Sequence, residues 1–269
     1  MARPAIFVEK LEKYFPPAYS GWRALLQPFA RQTMRALADI SFSVECGEAV
    51  ALVGGNGAGK STLLRVLATL LFPTSGRAEV SGADIVRNPA EVRSKIGYDT
   101  GIEEGFYGRL TGRENLRLFA TLNNLSTSDA SAKIRHLSDL LDLHEFLDRQ
   151  TRTCSTGMLQ RLGLARALLH SPAVLLLDEP TRSLDSLAAS DFRHFLRSEI
   201  LGRYGTTLLF ASHTLSEVEE LSDRVILLHE GQIKAAGTPK NLCAMTGTQR
   251  LDDAIRALTP HATGSEKSS

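Results

Sequence analysis

The sequence is short of cysteine and of long apolar runs, and each shortage excludes a class of protein. Its three cysteines, Cys46, Cys154 and Cys243, show neither paired spacing nor a Cys-x-x-Cys pattern, so we expect neither a disulfide framework nor a zinc site. No apolar run approaches the roughly 18 residues that cross a bilayer, and the opening MARPAIFVEK lacks the apolar core of a secretion signal. A protein kept in the cytosol is therefore expected.

An excess of either charge is also missing. The chain has 31 Lys and Arg against 30 Asp and Glu, a formal net charge of +1, so no global field attracts nucleic acid and no nucleic-acid partner is expected. With 269 residues, 43% of them hydrophobic, the chain can bury a substantial core. We expect one compound domain over residues 1–245, then a short helix, LDDAIRAL, and a disordered polar tail within residues 246–269.

The stretch GGNGAGKST, residues 54 to 62, has the spacing Gly-x-x-x-x-Gly-Lys-Ser and follows the apolar run GEAVALVG. Glycines let the backbone curl so that its N–H groups face anionic oxygens, and the helix that follows adds its positive dipole end. Lys60 can reach the β- and γ-phosphates, and the Ser61 hydroxyl can bind Mg²⁺. The predicted nucleotide contacts are Gly54, Asn56, Gly57, Gly59, Lys60, Ser61 and Thr62.

The apolar patterns around this loop predict an α/β fold: a P-loop NTPase core with a β-rich N-terminal subdomain and an inserted α-helical subdomain at about residues 100–170. Strands are predicted in AIFVEKLEKYF and on both sides of a turn at Cys46 and Gly47. The helix STLLRVLATLLF is expected to end before Pro73. AVLLLDEP and TTLLFASH read as buried parallel strands, and RVILLHEGQIKAAG as two further strands.

Polar side chains follow both of these buried strands, at the sheet edge where open α/β sheets bind ligands. Asp178 is expected to hold Mg²⁺ through water, and Glu179 to orient or deprotonate the attacking water. His213 ends the second strand and is expected beside the γ-phosphate. A solvated turn at Asp178 and Glu179, and a structural histidine, are the alternatives.

Taken together, the motifs GGNGAGKST, CSTGMLQRLGLARALL, LLLDEP, SLD and ASH resemble, in content and order, those of the ATP-binding subunit of an ABC transporter. The resemblance covers roughly residues 5 to 240. It implies ATP hydrolysis with Mg²⁺, catalysed by Glu179 with His213, and an active unit of two subunits, identical or different, joined head to tail around two ATP molecules.

The resemblance also implies roles for residues outside the loop. CSTGM matches the family's Leu-Ser-Gly-Gly-Gln motif at Ser155 and Gly157, which would cap the γ-phosphate held by the opposite subunit. An ordinary helix N-cap at Ser155 or Thr156 is compatible with that role. Asp185 would link the two ATP sites.

An aromatic residue upstream of the loop would stack on adenine. Tyr14 is the first choice and Phe15 the alternative, and either could instead be a core residue.

The chain departs from the family pattern at two places. After IGYD, Gly101 or Ile102 stands where many members have a glutamine, and Glu103 or Glu104 is either a substitute oxygen ligand or part of a solvated turn. The second departure is an insert between Tyr14 and Ala36, which predicts either a contact with membrane or permease or a simple surface elaboration. Its apolar residues at helical spacing and its cations are Trp22, Leu25, Leu26, Phe29, Arg23, Arg31 and Arg35.

The long opening and the TGREN segment resemble those of ABC subunits that serve ABC-2-type exporters. This narrower resemblance implies a subunit that energises export through a separate permease of the ABC-2 type and lies on the cytoplasmic face of the membrane. Two other functions stay open: a soluble ABC-type clamp in translation or DNA repair, and a regulatory module that binds ATP without hydrolysing it.

Overall fold

The structure is a computed structural model that describes residues 3–16, 34–101 and 105–259. The strands of the described chain are β1 (Ile6–Phe15), β2 (Met34–Val44), β3 (Ala49–Val53), β4 (Ser75–Val80), β5 (Ala83–Asp84), β6 (Ile96–Asp99), β7 (Val174–Asp178), β8 (Thr207–Ala211), β9 (Arg224–His229) and β10 (Gln232–Gly237). The α-helices are α1 (Lys60–Leu67), α2 (Pro89–Lys95), α3 (Gly112–Leu122), α4 (Thr127–Leu140), α5 (Thr156–Leu168), α6 (Ser186–Phe195), α7 (Leu215–Leu221), α8 (Pro239–Thr246) and α9 (Leu251–Leu258).

The central sheet has the strand order β10-β9-β3-β8-β7-β6. Its strands run parallel except for β10, which returns antiparallel to β9. Every residue of β3, β7 and β8 is buried, as expected for parallel strands that are covered on both faces. The α/β fold and the two buried strands predicted from the sequence are thereby confirmed.

The second sheet is antiparallel, with the order β2-β1-β4-β5. The turn at Cys46 and Gly47 therefore joins strands of different sheets, since β2 pairs with β1 whereas β3 enters the central sheet. Arg224 connects the two sheets: its guanidinium donates to both oxygens of Glu48, at 2.7 and 3.0 Å, and to the carbonyl of Ser43 on β2. This partly buried fork ties β9 of the central sheet to the end of β2.

The predicted helical insert lies between β6 and β7, which are hydrogen-bonded neighbours in the sheet. It contains α3, α4 and α5, and α3 begins with a capping box in which Thr111 and Glu114 satisfy each other's backbone N–H groups. The fully buried Asn115 fixes the turn before α3, because its amide accepts from the Tyr107 N–H at 2.8 Å and donates to the Thr111 carbonyl at 2.9 Å.

Helix α1 is shorter than predicted. It ends at Leu67 rather than just before Pro73, because Thr69 adopts a left-handed conformation, φ 60°. The N–H groups of Leu70 and Leu71 both bond the carbonyl of Arg65 and close the turn. The prediction from the apolar pattern alone made this helix too long.

At the other end of the chain, α9 forms over the predicted LDDAIRAL, and Leu251 and Ala254 bury it against the main core. The sequence reasoning left α2, α6, α7 and α8 unassigned, and it missed that α6 continues as a π-helical turn over Leu196–Arg203. In the described ranges, no helix is long and apolar enough to cross a membrane.

Several sequence predictions fall outside the described residues. They concern Trp22, Leu25, Leu26, Phe29, Arg23 and Arg31 of the insert, Ile102, Glu103 and Glu104 of the loop after β6, and the polar tail.

Replacing Asn115 by Ala should lower the free energy of unfolding by about 2–4 kcal/mol, because buried backbone groups of the turn before α3 lose their partners. Urea unfolding measures the change. The control is Asn123→Ala on the exposed end of the same helix, whose amide donates only to the Phe119 carbonyl, and which should stay within about 0.5 kcal/mol. Equal losses of stability in both variants would show that the hydrogen bonds of Asn115 do not stabilise the turn before α3.

Candidate nucleotide-binding and hydrolysis site

The site lies where three adjacent parallel strands end. Strand β8 lies between β3 and β7, and Ala211 is the register partner of both Leu52 and Asp178. The segments that leave these strands therefore meet at one edge of the sheet. They carry the phosphate loop, the Asp178–Glu179 pair and His213.

The phosphate loop curls tightly before α1. Gly59 is the N-cap of α1 with φ 106°, and a Cβ at this position would lie 2.6 Å from the Ala36 carbonyl oxygen. Any side chain would therefore push the loop away from β2. The loop thus presents the first turn of α1 to the sheet edge, as an anion-binding loop requires.

Lys60 is buried at the centre of this loop, with 7% of the residue exposed. Its ammonium donates to the carbonyls of Gly54 at 2.7 Å and Gly55 at 3.1 Å. Burial lowers the pKa of Lys60, while the carboxylates of Glu179 and Asp178 act in the opposite direction. The loop is therefore folded around a cation that faces two acidic side chains.

The Ser61 hydroxyl donates to Asp178 Oδ1 at 3.0 Å, so the first turn of α1 and the end of β7 meet directly. A hydroxyl and a carboxylate are hard oxygen donors of the kind that Mg²⁺ prefers. The two residues predicted as metal ligands thus lie side by side, and their chemistry fits that ion.

Glu179 is held in a strained conformation against β8. Its φ is 58°, unusual for a residue with a side chain, and its N–H bonds the Ala211 carbonyl at 2.9 Å. Its carboxylate lies 2.5 Å from Nδ1 of His213. An ionised carboxylate can only accept, so Nδ1 carries the proton and Nε2 faces away from Glu179.

The backbone of Gly101 packs against the carboxyl end of β7. Its φ is 63°, and a Cβ there would lie 2.7 Å from the Glu179 carbonyl oxygen and 3.0 Å from that of Asp178. No side chain, glutamine included, fits at this position without moving the backbone of Asp178 and Glu179. At Gly101 it is therefore the backbone of the loop after β6 that touches the acidic pair.

The CSTGM segment forms the start of α5. Ser155 is the N-cap, its hydroxyl accepting from the Met158 N–H at 3.3 Å, while its own N–H meets Met158 Sδ at 3.4 Å. Thr156 instead donates to the Ser183 carbonyl at 3.2 Å. Of the two capping residues considered, Ser155 is thus the one observed. Gly157 lies in the first turn of the helix.

Asp185 caps α6, accepting from the N–H groups of Leu187 and Ala188 at 3.0 and 2.9 Å. Within the described ranges, no hydrogen bond or ion pair joins Asp185 or the CSTGM segment to the phosphate loop of the same chain. These predicted residues are therefore not brought into contact with that loop.

Tyr14 and Phe15 end β1, and both are half-buried. The guanidinium of Arg35 lies 5.8 Å from the Tyr14 ring centroid, and the ammonium of Lys13 lies 5.1 Å from that of Phe15. Since both rings are partly accessible, the choice of Tyr14 for adenine stacking stays a prediction.

The sequence reasoning missed one buried polar cluster near this edge. Asp99 ends β6 and contacts Arg166 and Gln160 of α5. The sequence does show an acidic residue at the end of an apolar strand, Asp99, and two polar residues in the apolar helix pattern of α5, Gln160 and Arg166. Nothing in either pattern indicates that these residues contact each other.

The fold and the site together define a P-loop ATPase, with a loop lysine, a serine–aspartate pair and a carboxylate–histidine pair at one sheet edge. The model of the family described as "ABC transporter" matches residues 37–182.

Individual relatives agree with that match. The chain is 40% identical over 212 residues to the ABC transporter ATP-binding protein NatA of Bacillus subtilis, covering 79% of this chain and 85% of that protein. It is 40% identical over 222 residues to the daunorubicin resistance ATP-binding protein DrrA3 of Streptomyces coeruleorubidus, covering 82% and 69%. A solved ATP-binding subunit of an ABC transporter superposes with a TM-score of 0.77 at 28% identity, covering 94% and 99%.

The chain therefore belongs to the ABC transporter family, as an ATP-binding subunit that hydrolyses ATP.

Replacing Gly101 by Ala should slow ATP turnover roughly 10- to 100-fold, because the added carbon displaces the backbone of Glu179. Gly205→Ala is the matched control, since Gly205 has the same φ of 63° but its Cβ would meet nothing within 4 Å. The control should lose only about 1–2 kcal/mol of stability from its left-handed backbone. Steady-state phosphate release measures both variants, and equal rates would contradict the contact.

Proposed function

We propose that two ATP-binding subunits of this kind close on two ATP molecules and thereby drive export through a separate membrane permease of the ABC-2 type. The partner subunit is a second copy or a related chain. The subunit would work at the cytoplasmic face of the membrane, held there by the permease. The observation that carries the proposal is the meeting of Lys60, Asp178, Glu179 and His213 at one sheet edge, away from Ser155 and Gly157.

Similarity to an ATP-binding protein named for daunorubicin resistance supports export over import. The ATPase module would occupy residues 1–245, with residues 246–269 as an appendage. The helical part at about residues 100–170, together with the loop at 99–110, would pass the movement of the dimer to the permease.

The phosphate loop would hold the β- and γ-phosphates of ATP. The contacts would come from Lys60 and from the backbone around Gly54, Asn56, Gly57 and Gly59, with Thr62 beside them. Ser61 and Asp178 would hold Mg²⁺, Asp178 through water, and that ion would neutralise charge on the phosphate oxygens. Tyr14 would stack on the adenine ring.

Hydrolysis of ATP would depend on Glu179, which follows the end of β7. Glu179 accepts the proton of a water whose oxygen attacks the γ-phosphorus, while the bond from that phosphorus to the bridging oxygen breaks and ADP leaves. His213 would hold the Glu179 carboxylate through Nδ1, and Nε2, which makes no hydrogen bond to the described residues, would contact the phosphate. The Glu179 backbone is held in its left-handed conformation by the bond from its N–H to the Ala211 carbonyl.

The partner subunit would complete the site. Ser155 and Gly157 begin α5, whose first-turn N–H groups and positive dipole end suit a γ-phosphate bound by the other subunit. Asp185, at the start of α6, would connect the two ATP sites. Closing and reopening of the dimer would then depend on contacts with the γ-phosphate.

Glu179→Gln should lower kcat by about 10²–10⁴-fold, the scale expected for losing a positioned base, and should trap an ATP-bound dimer. Phosphate release and sedimentation with Mg²⁺ and ATP measure the two effects. The control is Glu219→Gln on the exposed side of α7, which should match the native chain. Near-native turnover of Glu179→Gln would assign the base to another residue.

The same trapped variant tests the partner. A tagged Glu179→Gln chain, expressed in its native cell with ATP present, should recover a multispanning membrane protein from detergent-solubilised membranes. Recovery of ribosomes or DNA instead, with no membrane protein, would contradict the transporter role in favour of a soluble clamp.

A further inference from the structure

An ion pair between the buried Asp99 and the partly buried Arg166 joins β6 to α5. Asp99 ends β6 with 3% of its side chain exposed, and its Oδ1 lies 3.2 Å from Nη2 of Arg166. Its Oδ2 accepts from Nε2 of Gln160 at 3.3 Å and from the Gly101 N–H at 3.4 Å. Burial raises the pKa of Asp99, whereas Arg166 and the backbone N–H groups of Gly101 and Thr100 oppose that effect, Arg166 most strongly.

One face of α5 is built for this carboxylate. Gln160, Gly163 and Arg166 follow one another at three-residue spacing, which places them near one side of the helix. A Cβ at Gly163 would lie 2.7 Å from Asp99 Oδ1, so the glycine allows α5 to approach the end of β6 closely. The helix that begins at Ser155 is therefore fastened to the central sheet at Asp99.

Arg166 also contacts the rest of the helical insert. Its guanidinium carbon lies 4.8 Å from the ring centroid of Phe106 and 5.3 Å from that of Phe119 on α3. The two rings meet edge to face, at 6.2 Å and 85°. A planar guanidinium against two aromatic rings ties α3 and α5 to the same cation.

Asp99 also lies beside the end of β7 that carries Asp178 and Glu179. It is the register partner of Leu177, the residue before Asp178 on β7. Gly101, whose N–H donates a hydrogen bond to the Asp99 carboxylate, packs on the carbonyl groups of Asp178 and Glu179. One side chain thus contacts both the helix of the CSTGM segment and the loop beside the catalytic carboxylate.

We infer that Asp99, with Arg166, is a positioning residue that fixes the CSTGM helix relative to the catalytic end of the sheet, and so sets the geometry in which the dimer closes on ATP. The inference rests on the proposed ATP-driven dimer. Neither residue touches ATP in this scheme, so binding of ATP to the phosphate loop of a single subunit is independent of the pair.

The test uses the full chain carrying Glu179→Gln, with Mg²⁺ and ATP. Arg166→Met should raise the dissociation constant of the dimer at least tenfold by sedimentation, while the Kd of the monomer for ATP changes less than twofold by calorimetry. Because Arg166→Met leaves a buried charge unpaired, it should also lower the urea midpoint. The double variant Asp99→Leu/Arg166→Met removes both charges and should recover the midpoint but not the dimer.

The control is Arg113→Met/Asp148→Leu. This variant removes an exposed ion pair of the same helical insert, with contacts of 2.7 and 2.9 Å, and should dimerise like its Glu179→Gln parent. Full recovery of dimerisation in Asp99→Leu/Arg166→Met would overturn the inference, because the pair would then only balance buried charge. Failure of the Glu179→Gln parent itself to dimerise would contradict the proposed dimer, and the inference with it.

Discussion

Burial of the Lys60 ammonium is the constraint on which the rest of the ATP site depends. A buried cation is tolerated only where dipoles and anions surround it. The loop carbonyls of Gly54 and Gly55 supply the dipoles, and Asp178 and Glu179 supply the charge. This arrangement requires β3 and β7 to end at the same level on either side of β8, as the parallel register ensures. The ends of the sheet strands therefore determine where the acidic side chains lie relative to Lys60.

The residues that we propose complete the ATP site of a partner subunit make no hydrogen bond to the phosphate loop within the described part of their own chain. Ser155 and Asp185 each cap a helix of their own chain, so their local folding needs no nucleotide. What the molecule must control is where these capped helix ends lie relative to the phosphate loop. The contacts at Asp99 and Gly101 are suited to that control, because they connect Gln160 and Arg166 of α5 with the end of β7. Local order and long-range position are thus set by different residues.

The sequence predicted features that depend on neighbours along the chain. The loop at residues 54 to 62 carries its own spacing, and VLLLDEP and LLFASH are apolar runs that stop at polar residues, so the edge shared by Glu179 and His213 followed from parallel-sheet geometry. Features that depend on distant partners could not be predicted. The ion pair of Asp99 and Arg166 joins residues 67 positions apart, and IGYD showed only a strand end. Helix α1 was overextended because nothing in LATLLF signals the left-handed turn at Thr69.

The chain leaves the central sheet through β6 and returns through β7, and these strands are hydrogen-bonded neighbours. Because these strands are parallel, the insert leaves from the carboxyl end of β6, at Asp99, and returns to the amino end of β7, at Val174, which pairs with Ile96 rather than with Asp99. Its two covalent attachments therefore lie at opposite edges of the sheet, roughly 11 Å apart for a rise of about 3.3 Å per residue and a strand spacing of about 4.8 Å. The insert is thus anchored across the depth of the sheet, and the contacts of Asp99 with Gln160 and Arg166 hold it at the edge that carries Asp178 and Glu179.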